Sequence, residues 1–162
     1  MRESSTANVK SPWRLFVGTV IVVILADVLS KMVITALLGP GSDRPNIQVL
    51  STAIQFTYAE NGGIAFGLLR GDSGIVWGLV LLATLGMMVI VWATISSATR
   101  QMGLAMGFVA GGGLANLADR IADGQVVDFI SLWRWPSFNV ADACITVGVI
   151  ALLVLLLRHE PA

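Results

Sequence analysis

Apolar residues in this chain gather into four long blocks and do not alternate finely with polar ones. Residues 15–38, 75–95, 102–118 and 138–157 form blocks of 24, 21, 17 and 20 residues, against the roughly 20 a helix needs to span a bilayer. The second and third blocks contain no charged side chain, whereas a helix of a soluble bundle keeps a polar face toward water. The pattern predicts four membrane-crossing helices packed as one integral-membrane domain over 1–162.

The segments between the blocks carry a different period. Ile54, Phe56 and Tyr58 alternate with Gln55 and Thr57, and Val126 to Trp133 is a β-branched and aromatic run, so each loop is expected to hold a strand. Gly62-Gly63 breaks the first strand, and residues 64–69 then read as a short interfacial helix. The expected fold is an all-α membrane protein, a four-transmembrane-helix bundle with a small extracytoplasmic β element. Trp13, Trp133 and Trp135 are placed as interface anchors.

Charge adds an orientation. Arg2, Lys10 and Arg14 precede the first block as they would in a signal peptide, but the block is too long and bears Asp27 and Lys31 where a cleavage site would lie. It therefore reads as a retained helix. Four crossings put both termini on one side, with Arg2, Lys10, Arg14, Arg100 and Arg158 facing Arg44, Arg70, Arg120 and Arg134. The first group crowds the helix ends, which predicts cytoplasmic termini and external loops 39–74 and 119–137.

Composition removes several chemistries. Ten basic and ten acidic residues cancel, leaving no basic excess to hold nucleic acid. A single cysteine, Cys144, excludes an intramolecular disulfide framework and a CxxC knuckle. His159, the one histidine, falls at the cytoplasmic end, which disfavours Ser-His, Cys-His and zinc hydrolysis. Neither metal nor cofactor is expected. Gly103, Gly107 and Gly111 form overlapping GxxxG patterns and predict a close helix contact.

Ionisable residues within a span are costly and point to a partner or a function. Asp27 and Lys31 share one face of the first helix; Asn116, Asp119 and Arg120 cluster at the end of the third; Asn139 and Asp142 lie in the first turns of the fourth. With Asp128 between the last two helices, the topology collects all of these at one depth near the outer face. Two carboxylates held close in a low dielectric cannot both ionise, so one keeps its proton while the other activates water, as in aspartic peptidases. Asp128 and Asp142 make the best pair, because Arg120 adjoins Asp119 and Lys31 lies one turn from Asp27. Asn116 and Asn139 would supply hydrogen bonds without adding charge. The competing class is a small transporter or ion-conducting subunit using Asp27, Lys31 and Asp142 as a relay. Such a relay should also place ionisable groups in the inner half of the bilayer.

Five segments, in order, resemble the lipoprotein signal peptidase (signal peptidase II) family: Asp27 to Lys31, Asn61 to Phe66, Gly112 to Arg120, Val127 to Phe129, and Phe138 to Asp142. The resemblance implies a bacterial inner-membrane aspartic endopeptidase with Asp128 and Asp142 as the catalytic pair. It further implies that Asp27, Lys31, Asn61, Gly62, Asn116, Arg120 and Asn139 shape the pocket or contact substrate. The implied substrate is a prolipoprotein with a diacylglyceryl cysteine, met within membrane lipid and cut just before that cysteine. Asn61 and Gly62 enter through the resemblance alone. Ala115 stands where members often carry glycine.

Overall fold

A computed structural model describes residues 11–43, 46–50, 53–62, 73–133 and 135–158, with the side chains of 73–77 excluded. In chain order the elements are α1 (Pro12–Leu38), β1 (Asn46–Leu50), β2 (Ile54–Asn61), α2 (Ser73–Thr94), α3 (Arg100–Asp123), β3 (Val126–Leu132), β4 (Trp135–Phe138) and α4 (Val140–Arg158). Each apolar block is a helix. Two of them, α1 and α4, are long and apolar enough to cross a membrane, and α2 contains the shorter apolar stretch Gly78–Thr94. Large apolar side chains point outward, with Val22 65%, Leu82 67% and Leu157 73% exposed. Such surfaces suit lipid rather than water.

The boundaries move where polar residues begin. Helix α3 continues past the predicted end at Ala118 to Asp123, so Asn116, Asp119 and Arg120 are all helical. Gly124 closes it in the left-handed region (φ 76°), its N–H bonded to the Arg120 carbonyl. That turn feeds the chain directly into β3. Helix α4 starts at Val140 because Phe138 belongs to β4.

The expected small β element is a four-stranded antiparallel sheet in the order β1-β2-β3-β4. β2 and β3 fall where expected and pair Ala59 with Asp128 and Asn61 with Val126. β1 and β4 were not expected: β1 is five residues of mixed polarity, and Pro136 lies inside β4. Proline is tolerated in an edge strand, and β4 is an edge. The expected interfacial helix at 64–69 lies outside the described residues.

Helix α3 is the axis of the bundle, with α1 parallel to it and α4 antiparallel. A Cβ on Gly103, Gly107 or Gly111 would lie 2.6, 2.6 and 2.9 Å from Pro12, Thr19 and Val23 respectively. The expected GxxxG contact is therefore with α1. On another side, a Cβ on Gly112 would meet the Ala141 carbonyl oxygen at 2.4 Å. Away from the sheet, Phe16, Val91, Ile95, Met106 and Ala110 form the core. At the sheet end Ile34 and Leu38 of α1 pack with Phe129, joined by Ile47, Phe56, Tyr58, Ile130 and Val140. The sheet thus rests on the end of α1, above the point where α3 and α4 meet.

Candidate active site

Apart from Thr84, the buried polar and charged side chains among the described residues are Asp27, Lys31, Asn116, Arg120, Asp128 and Asn139. All six lie at the sheet end. Burying them without partners would cost several kcal/mol each, so their hydrogen bonds define the site.

The first turn of α4 is its centre. Asn139 is the residue before the helix; its Oδ1 accepts the N–H of Asp142 at 2.9 Å, while Asp142 Oδ2 reaches back to the N–H of Asn139 at 3.5 Å. This is a capping box, with aspartate in the position usually held by glutamate or glutamine. Another first-turn donor, the N–H of Ala141, goes to Asp27 Oδ1 on α1 at 2.9 Å. The same turn also lies against α3, where Gly112 permits the approach. Asp142 is thereby fixed by backbone geometry as well as by its side-chain contacts.

Asn139 has a second task. Its Nδ2 donates to Asp128 Oδ1 at 2.9 Å and to Asn116 Oδ1 at 3.2 Å. Asn116 in turn donates through Nδ2 to Asp142 Oδ1 at 2.7 Å. Asn61, at the end of β2, donates to Asp128 Oδ2 at 2.8 Å. Two amides, Asn139 and Asn116, therefore link the two carboxylates, with Asn61 holding Asp128 from β2, and Asn139 bonds to both acidic residues. Asp128 is 2% exposed. Burial pushes its carboxyl up to about 6, the Asn61 amide opposes that rise, and the nearby charge of Asp142 adds to it.

Lys31 lies behind this network. Its Nζ donates to Asp27 Oδ2 and to Asp119 Oδ2, so the predicted α1 pair exists but extends to α3. The expected partner of Asp119 is corrected: Asp119 binds Lys31, while Arg120 Nη1 donates to the Asn116 carbonyl at 3.0 Å. Arg120 lies in the electrostatic field of Asp142, Asp128 and Asp119. With Asp27 and Lys31 bonded to Ala141 and Asp119, the relay reading gains no support. Gly62 follows Asn61 in exposed chain, with nothing within 4 Å of where a Cβ would project.

Sequence reasoning missed the bond from Ala141 to Asp27. Its signal was present: a buried aspartate in the middle of the apolar α1 needs a donor beyond Lys31, and a helix N-terminus offers free N–H groups.

A family model described as signal peptidase (SPase) II matches residues 19–158. The lipoprotein signal peptidase of Syntrophomonas wolfei is 37% identical over 142 residues, spanning 88% of this chain and 92% of that protein. That of Dehalococcoides mccartyi is 40% identical over 138 residues, 82% of each chain. A bacterial membrane enzyme solved by the in meso method at 2.3 Å resolution shares the fold, with a TM-score of 0.75 at 24% identity over 88% of this chain and 87% of that one. The family match runs from the first helix to the end of α4, taking in every element of the amide–carboxylate network, and the chain belongs to the signal peptidase II family.

Proposed function

We propose that this protein removes the signal peptide from prolipoproteins by aspartic chemistry, with Asp128 and Asp142 as the reacting pair. The observation that carries the reading is Asn139, which bonds the side chain of Asp128 and caps the turn bearing Asp142. One amide thus holds both acids in register. Asp142 is partly exposed, so substrate and water can reach the pair from its side.

In the reaction one aspartate is ionised and takes a proton from water as the water oxygen attacks the scissile carbonyl carbon. The other, protonated, gives its proton to the carbonyl oxygen, and a tetrahedral intermediate forms. Collapse breaks the C–N bond: the amine nitrogen takes the proton from the aspartate that had deprotonated water, a hydroxyl of the intermediate returns its proton to the other aspartate as the new carbonyl forms, and the pair is back in its starting state. The reaction needs one proton on the pair. Asn116, Asn139 and Asn61 hold the two carboxyls without adding charge. Asp27, Lys31 and Arg120 are positioning residues: Asp27 fixes α4, Lys31 ties α1 to α3, and Arg120 braces the Asn116 turn.

The membrane arrangement belongs to the same reading. Four crossings as a single domain, with both termini cytoplasmic, place the sheet and the pair near the outer face. A diacylglyceryl cysteine anchored in lipid presents its preceding peptide bond at that depth. The purified protein should release the signal peptide from a diacylated prolipoprotein and act far more slowly on the non-acylated form. Equal rates on both would remove the lipid from the specificity, and no cleavage of either would remove the activity.

A further inference from the structure

Two apolar rungs cross all four strands of the sheet. The inner rung pairs Ile47 with Phe56, Phe56 with Ile130, and Ile130 with Phe138. Ile47, Phe56 and Ile130 pack against the cluster at the end of α1. The outer rung pairs Leu50 with Ile54, Ile54 with Leu132, and Leu132 with Trp135. On β2 and β3 the two rungs are two residues apart, so they share a face. The outer rung therefore lies on the same face of β2 and β3 as the inner one, one step nearer the tip.

The tip beyond this rung is apolar as well. Trp133 takes a left-handed backbone (φ 41°), unusual for a bulky residue. Its N–H bonds the Ala53 carbonyl at 3.0 Å, which ties the β3–β4 turn to the β1–β2 turn. Leu50 is 63% exposed, Trp133 75% and Trp135 57%. Below the tip a cleft of about 320 Å³ separates Leu132, Trp135 and Phe138 from Ala143, Thr146 and Val147 of α4, with Asp142 in its wall. The surface of the tip thus continues into the outward face of a helix long and apolar enough to cross a membrane. One medium covers both, and exposed tryptophans at a span's end favour the boundary between headgroups and acyl chains.

We propose that the tip formed by Leu50, Ile54, Leu132, Trp133 and Trp135 is a membrane foot, seated in the interfacial zone of the bilayer leaflet at the sheet end. The foot holds the sheet at a fixed height over the lipid. Because β3 carries Asp128, that height sets the depth of the carboxylate pair. The depth-setting role rests on the signal peptidase reading; the seating in lipid does not.

The test places a nitroxide on Trp133→Cys or Leu50→Cys, each in a Cys144→Ala background, in nanodiscs of phosphatidylethanolamine and phosphatidylglycerol. Asp43→Cys, in exposed chain, gives the aqueous reference. Labels at 133 and 50 should collide with oxygen and be shielded from a water-soluble nickel chelate relative to position 43. Nickel accessibility equal to that at position 43 overturns the foot. So does dipolar broadening that vanishes on dilution with unlabelled protein, since a second copy would then cover the tip. In nanodiscs Leu50→Ser/Trp133→Ser should raise KM for a diacylated prolipoprotein about tenfold with kcat nearly unchanged, and Trp133→Tyr alone should keep KM low. An unchanged KM in the double variant overturns the depth-setting role. Absence of cleavage by the unsubstituted protein counts against the signal peptidase reading and leaves the spin-label result standing.

Discussion

The two ends of α3 hold their neighbours by opposite means. From Gly103 to Gly111 the helix meets α1 by bare backbone approach, with no room for a Cβ. From Asn116 to Arg120 it meets α1, α4 and the residue that caps α4 through side-chain hydrogen bonds and an ion pair. Lipid gives apolar side chains little reason to leave it, so helices there associate through close packing and a few polar contacts. The glycine end sets where α3 lies, and the polar end sets what it can do. Gly112 joins the two regimes, since the backbone approach it permits is to the turn that carries Asp142.

The largest effect should come from the carboxylates. Asp128→Asn or Asp142→Asn should each cut single-turnover cleavage by about a thousandfold or more while substrate still binds. Next comes the amide between them. Asn139→Ala removes the bond to Asp128, the bond to Asn116 and the cap of α4, and should cost roughly a hundredfold in rate and about 2 kcal/mol in stability. Thermal unfolding in detergent beside the kinetics checks both. Then the two regimes can be set against each other. Gly112→Ala drives a Cβ into the Ala141 carbonyl and should lower kcat on the order of tenfold. Gly103→Ala meets the Pro12 carbonyl at the far end and should lower the unfolding temperature with kcat nearly intact. Equal losses of kcat would erase the division.

The smallest effect is the pH response. Asp128 is raised from 3.8 to about 6, so the folded state holds its proton more tightly than the unfolded chain does. Its contribution to stability is full below pH 4 and is lost as pH rises through about 6. Detergent unfolding temperatures should fall over that window by more in the native protein than in Asp128→Ala. Activity should also decline on the basic side, where the pair no longer carries the proton that the reaction needs.

The helices were legible because block length in an apolar chain carries the signal, and Asp27, Lys31, Asn116, Asp128, Asn139 and Asp142 were legible because polar and charged groups within or beside an apolar span demand a reason. Of the central strands, β2 showed its alternation and β3 its β-branched and aromatic run. The edge strands did not, because β1 is short and β4 contains Pro136, and both gain their place from pairing with β2 and β3. Local spacing suggested Arg120 beside Asp119, yet neighbours in a helix diverge by about 100° and Lys31 from another helix took that carboxylate. Asn61 bonds Asp128 across the sheet through the β2–β3 register, which composition does not encode.

The claim that Asn139 binds two acids into one catalytic unit is tested most directly by a double-substitution cycle. Single-turnover release of signal peptide from a diacylated substrate would be measured for the native protein, Asp128→Asn, Asp142→Asn and the double variant, with fold checked by thermal unfolding. Each single variant should lose nearly all of the rate that the double variant loses, because either acid without the other leaves the proton nowhere to go. Losses that multiply, or a single variant turning over near the native rate, would contradict it.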